Sequence, residues 1–200
     1  MRLVVIVWFL LIQLANVNNM GNNILFFTLL CAISILLYHI VLYFTTRVPM
    51  IITPRGYIKD LVKDLQNSKL VNSKSIIYEL GSAWGNFSFS VQKLQPSKIV
   101  GYELSPVHFI YSYLKAKFKR SAVQFKMQDF FKADISDADI IYVYLMPKIV
   151  AKLWQKIKTE CKPGTIMILL GHDIKGGQLI KKLKTDSQKI NSTFYYFYRV

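Results

Sequence analysis

Three segments of this sequence carry residue types that hold small polar ligands. Glu79-Leu80-Gly81-Ser82-Ala83-Trp84-Gly85 closes one apolar run and opens a helical stretch. It reads as a tight strand-turn-helix in which small residues let the backbone approach a ligand. Gly101-Tyr102-Glu103 ends the next apolar run, and a carboxylate there can accept both hydroxyls of a ribose. Gln128-Asp129-Phe130 follows a third run and sets an acceptor beside an aromatic ring, a pairing that suits the amino edge of an adenine. Together they describe one nucleoside-shaped site. A nicotinamide pyrophosphate fits it poorly, because that fingerprint needs G-x-G-x-x-G at a helix N-terminus. Here the string is Gly81-Ser82-Ala83-Trp84-Gly85-Asn86, and Glu79 would put negative charge beside the phosphates. The Glu79 carboxylate suits the ammonium of a zwitterionic ligand instead.

Short β-rich runs alternating with amphipathic stretches must position these residues. Strands are predicted at 75–80, 99–103, 123–127, 140–145, 165–170 and 193–199, and helices at 57–67, 87–94, 107–118, 149–159 and 178–184. Such alternation implies a mostly parallel sheet with helices on both faces, and in such sheets ligands bind beyond the C-terminal strand ends. All three segments above stand at such ends. His172-Asp173 follows the fifth strand but lacks a nucleophile partner, so it reads as an incidental loop pair. His39, His108 and His172 lie on separate elements, and Cys31 and Cys161 are the two cysteines. No metal site and no disulfide framework is expected.

The 200 residues carry 26 Lys+Arg against 11 Asp+Glu, a net charge of +15, yet 52% of them are hydrophobic. That balance argues against disorder and against a purely soluble protein. No charged residue stands between Arg2 and Arg47, which marks a boundary. Residues 24–44 are mostly apolar throughout, long enough for the roughly 30 Å hydrocarbon core of a bilayer, and read as a transmembrane helix. Residues 1–23 form an apolar leader or a short first hydrophobic arm: Leu3 to Ile12 is followed by an Asn-rich stretch without a convincing cleavage site. This run is read either as the first arm of a helical hairpin or as sequence upstream of a true start at Met20. Arg47, Arg55, Lys59 and Lys63 follow the span, so the positive-inside rule places residues 45–200 in the cytoplasm.

ELGSAWG, VGYELSP, FKMQDFFKADISDADIIYVYLMP and CKPGT together resemble the class I S-adenosylmethionine-dependent methyltransferases. The apolar helix, Val48-Pro49, Thr53-Pro54 and the YLMP string narrow the resemblance. It points to the small membrane-anchored protein-lysine methyltransferases that act on the ATP synthase c subunit and the adenine nucleotide translocase, and to their bacterial relatives. The similarity covers residues 45–200. It implies a Rossmann-like α/β sheet flanked by helices, preceded by the transmembrane helix, with S-adenosylmethionine as cofactor. Glu79, Gly81, Ser82 and Gly85 would surround its methionine part, Glu103 its ribose and Asp129 its adenine. Tyr144 to Pro147 would border the acceptor channel. The family usually has glycine where Ala83 stands, so a positive φ there would cost about 1 kcal/mol or more.

Methyl transfer is an in-line displacement that chiefly needs alignment and exclusion of water. A lysine acceptor must arrive neutral, which a channel lined by Tyr142, Tyr144 and Phe130 would favour by desolvation. The resemblance implies that base-methylating relatives carry D/N-P-P-Y/F after the fourth strand. Tyr144-Leu145-Met146-Pro147 does not match, so nucleic acid is not an expected partner. The basic clusters at Lys115, Lys117, Lys119 and Arg120 and at Lys181, Lys182 and Lys184 are assigned to the membrane surface. Two other functions remain open: methylation of a lipid or small apolar acceptor, and a degenerate domain that binds without catalysis.

Overall fold

The computed structural model describes residues 20–46, 53–185 and 193–200. The chain divides into two compact units, Met1–Pro49 and Met50–Val200. The apolar run Leu3 to Ile12, Arg47 and Val48-Pro49 lie outside the described residues.

In the first unit, helix α1 spans Met20–Thr46, 27 residues, beginning before and ending after the apolar stretch read from sequence. It holds no charged residue, and Ile24, Leu25, Leu29 and Leu36 are exposed. Its hydroxyls bond back into its own turns, Thr28 Oγ1 donating to Leu25 O at 2.8 Å and Ser34 Oγ to Leu30 O at 2.8 Å. This satisfies them without water. Among the described residues no helix is long and apolar enough to cross a membrane.

The second unit opens with α2 (Arg55–Asn67), whose Ile58, Leu61 and Leu65 are spaced to one face and are buried. It continues through β1 (Ile76–Leu80), α3 (Asn86–Val91), β2 (Lys98–Glu103), α4 (Pro106–Phe118), β3 (Gln124–Met127) and β4 (Ile140–Val143). It ends with α5 (Pro147–Glu160), β5 (Ile166–Leu170), β6 (Gln178–Lys184) and β7 (Phe194–Arg199). Among the described residues the strands form one sheet in the order β3-β2-β1-β4-β5-β7-β6. The first five run parallel, and β7 inserts antiparallel between β5 and β6. Central strands β4 and β5 are buried on both faces, as their charge-free Ile, Val, Leu, Met and Tyr runs require. Phe87, Phe125, Tyr142 and Phe197 join α2 and α3 in the core on one face. Trp154 of α5 meets Tyr198 at 5.8 Å, on the face opposite its neighbour Phe197.

One expected element is corrected. Residues 178–184, read as a helix, form edge strand β6. Leu179, Ile180 and Leu183 fit a helical face, but seven residues cannot sustain a helix without packing, whereas β7 satisfies their backbone. A register irregularity between Leu179 and Lys181 resets the alternation, so Lys181 and Leu183 turn partly inward and Lys182 and Lys184 outward. Lys181 pairs with Asp64 of α2. Lysines along an edge also discourage pairing with another chain.

Candidate active site

The turn after β1 is built from three residues in the left-handed region: Gly81 at φ +78°, Ala83 at +44° and Gly85 at +68°. Gly81 N and Ser82 N both donate to Tyr102 O, at 3.0 and 2.9 Å, which ties the turn to β2. Gly85 must be glycine for two reasons, its φ and its surroundings, since a Cβ there would lie 2.4 Å from Phe125 Cζ. Gly101 makes the same close approach from β2, where a Cβ would sit 2.7 Å from the Phe125 ring and 2.9 Å from Ser82 Cβ.

Ala83 adopts the conformation a glycine would take, at a cost of about 1 to 2 kcal/mol. The compensation is visible: Ala83 N donates to Glu103 Oε2 at 2.7 Å, and Ser105 N to Glu103 Oε1 at 2.8 Å. Glu103 therefore braces the turn and the start of α4 together. Each carboxylate oxygen accepts two hydrogen bonds, so both keep capacity for a ligand diol.

Glu79 is only 4% exposed. Its Oε2 accepts from Ser88 N at 3.0 Å and Ser88 Oγ at 2.6 Å. Burial pushes its carboxyl up to about 7, against the opposing pull of the Ser88 bonds, with the Glu103 charge adding to the rise. Beside it the Ser82 hydroxyl is buried and has no partner among the described residues, which a ligand would supply.

Glu79 and Ser82 face a cleft. From the turn it is lined by Glu79, Gly81, Ser82, Ala83 and Trp84, and elsewhere by Thr53, Asn86, Tyr142 and Tyr144. Thr53 Oγ1 lies 3.1 Å from Tyr142 OH, and Asn86 Nδ2 donates to Thr53 O at 3.4 Å, so the segment before α2 is fastened over the site. The Tyr142 ring stacks on Phe87 at 4.0 Å. Burial holds the phenols of Tyr142 and Tyr144 above their ordinary range, so near neutral pH both are donors and not bases.

Of the residues singled out from sequence, Glu79, Gly81, Ser82, Tyr142 and Tyr144 line the cleft, and Gly85 caps α3 directly beyond it. Glu103 reaches the turn through Ala83. Asp129 caps the short turn Phe130–Lys132, accepting from Phe131 N at 2.9 Å. Phe130 packs on Phe131 at 4.8 Å, and Pro147 is exposed in the first turn of α5. Glu103, Asp129, Phe130 and Pro147 are not among the residues that line the cleft. Thr53 and Asn86 were missed as site residues; the Thr53-Pro54 pair marks the entry to α2 but carries no chemical signature. His172-Asp173 serves the fold: Asp173 accepts from Tyr198 OH, which accepts from Ile174 N at 2.8 Å. Burial lowers the His172 pKa.

Residues 79–181 match the family described as ANTKMT methyltransferase domain. A protein-lysine N-methyltransferase of Saccharolobus islandicus (strain REY15A) is 23% identical over 159 residues, spanning 77% of this chain and 95% of that protein. The RNA methyltransferase from Salinibacter ruber, solved with S-adenosyl-L-homocysteine, superimposes with a TM-score of 0.64 at 23% identity, over 75% of this chain and 94% of that one. The magnesium protoporphyrin IX methyltransferase from Synechocystis, solved with S-adenosylmethionine, gives 0.58 at 12% identity, over 73% and 79%. At such identities the two structures show a shared fold.

Proposed function

We propose, from the premise that this chain belongs to the ANTKMT methyltransferase domain family and is an S-adenosylmethionine-dependent methyltransferase, that its acceptor is a lysine of a membrane-associated protein. The same reading makes α1 the tether of the enzyme to that membrane. One observation carries the acceptor class: the cleft beside the turn is walled by neutral side chains, Thr53, Trp84, Asn86, Tyr142 and Tyr144, with Glu79 its one carboxylate among the described residues.

The residues fit the cofactor. Glu79, together with the orphan Ser82 hydroxyl, would hold the amino-acid end, Glu103 the ribose and Asp129 the adenine, the last through an oxygen not used to cap its turn. The cofactor supplies an electrophilic methyl group on a sulfonium. The chain's own contribution is to align the acceptor and dry its surroundings. A lysine entering among Tyr142, Tyr144 and Trp84 is desolvated, which lowers its pKa and favours the neutral, nucleophilic amine. No protein nucleophile is required. The name of the Saccharolobus relative supports a lysine acceptor.

The tether is supported by the 27-residue, charge-free α1 and by Arg55, Lys59 and Lys63 beyond it, which assign the methyltransferase unit to the cytoplasmic side. The test uses the full chain, S-adenosylmethionine labelled on the methyl group, and membranes from cells lacking the protein. Label recovered as methyl-lysine after acid hydrolysis is the expected result. Label confined to the organic extract would replace lysine by a lipid acceptor. Bound cofactor without transfer to either fraction would refute both.

A further inference from the structure

Helix α4 is amphipathic in the reverse sense. Its buried residues are His108, Ser112 and Ala116, whereas Val107, Ile110, Tyr111, Leu114 and Phe118 are exposed. At about 100° per residue these five fall within one narrow stripe. Phe118 is 86% exposed and Val107 55%, values that a helix packed only for its own domain does not present. Basic residues flank the stripe. Lys115 and Lys117 lie roughly 80° to either side of it, and Lys119 and Arg120 follow the helix end. From Leu104 to Gln128 the sequence has five basic residues, Lys115, Lys117, Lys119, Arg120 and Lys126, and no acidic one.

The stripe joins the active-site cleft. Trp84, which lines the cleft, is itself exposed and packs against Tyr111 at 4.8 Å. Lys115 Nζ reaches Trp84 O at 3.5 Å and lies 4.5 Å above the Phe89 ring. Exposed aliphatic residues, aromatic rings with polar edges and flanking lysines without acids are the composition of a helix lying in the boundary between acyl chains and anionic headgroups.

We infer that the outward face of α4 docks on an anionic lipid surface, setting the cleft mouth at Trp84 against the headgroup layer. The inference rests on the surface of the second unit alone and holds whatever the acceptor is. A protein partner would also cover apolar residues, but the one-sided basic charge favours anionic lipid. Each basic residue near such a surface adds roughly a fivefold factor to partitioning.

The test uses the full chain with Cys31→Ser, since buried Cys161, its thiol pushed up to about 11, resists labelling. An environment-sensitive fluorophore is placed at Ile110→Cys, or as a control at Gln155→Cys on α5, and the protein is reconstituted in nanodiscs with or without phosphatidylserine. Spin-labelled lipids report contact by quenching. Docking predicts quenching at Ile110 in the anionic discs, little at Gln155, and a loss of at least tenfold with Lys117→Glu, Lys119→Glu and Arg120→Glu combined. Cofactor binding measured on the same samples shows that the charge-reversed chain is folded. It also keeps a failure of docking distinct from a failure of the methyltransferase reading. An aqueous Ile110 label in anionic discs overturns the inference. So does quenching that survives charge reversal, and so does shielding that appears only when membrane proteins are added, which would make α4 a protein-docking face.

Discussion

Glu79→Gln removes a charge that the fold buries at a thermodynamic cost. The carboxyl is ordinarily half-protonated at 4.5 and is pushed up to about 7 in the folded chain. Between those values the native state keeps a proton that the unfolded chain has lost, so the contribution of this group to stability falls as pH rises through that window. Below 4.5 both states are protonated and no penalty exists. Above about 7 the penalty is complete. At about 1.4 kcal/mol for each tenfold change in proton affinity it amounts to about 3 kcal/mol. Glutamine escapes the penalty while its carbonyl oxygen still accepts from Ser88 N and Oγ. Urea unfolding of the detergent-solubilised chain, wild type and variant side by side at about pH 5 and about pH 8, isolates the effect, because other titrating groups cancel in the difference. The variant should gain about 2 to 3 kcal/mol relative to wild type between those two conditions, while losing cofactor affinity. Wild-type affinity should itself weaken about tenfold from pH 8 to pH 6, as the carboxylate that receives the ligand ammonium becomes protonated. A stability difference that does not change with pH would show that Glu79 ionises normally and that burial does not govern it. A variant that binds cofactor as wild type does would remove Glu79 from the site.

Other substitutions probe the turn and its supports. Gly85→Ala forces a Cβ to 2.4 Å from Phe125 Cζ at a φ of +68°, and should lower stability by at least about 2 kcal/mol in the same unfolding assay. Ala83→Gly relieves the left-handed strain but frees the unfolded chain, so a net gain below about 1 kcal/mol is expected; a loss would mean that the methyl group packs usefully. Glu103→Gln leaves Ala83 N or Ser105 N facing an amide N–H, and cofactor affinity should fall about 10-fold to 100-fold. Tyr142→Phe removes the 3.1 Å hydroxyl contact with Thr53 and should cost about 1 kcal/mol without moving the pH profile of turnover; a displaced profile would make the phenol a proton carrier.

The parallel strands were legible because each is a short apolar run bounded by Gly, Pro or charge, and the ligand-facing ends followed from the parallel sheet that strands alternating with helices imply. Glu79 and Glu103 stood out because a carboxylate at the end of a buried strand needs a purpose. Residues 178–184 were misread because a one-residue irregularity in an edge strand yields the apolar spacing of a helix. Thr53 entered only through the Thr53-Pro54 motif of the resemblance, and neither it nor Asn86 was read as a site residue: their roles arise when a segment before α2 crosses to Tyr142 on β4, a contact between positions far apart in the chain. Phe130 and Pro147 were chosen for their places after strands, yet adjacency does not aim a side chain. One ring packs on Phe131, and the proline starts a helix, where its fixed φ is useful. Ala83 lies between these cases, since the sequence showed a departure from glycine but not that Glu103 would hold its backbone.

The central claim is that the turn braced by Glu103 is a working S-adenosylmethionine site. Calorimetric titration of the cofactor into the full detergent-solubilised chain, with Glu103→Ala as control, tests it most directly. Saturable binding of one equivalent, lost in a control that retains its fold by circular dichroism, is the result expected. Absence of binding to the folded wild-type chain would contradict the account.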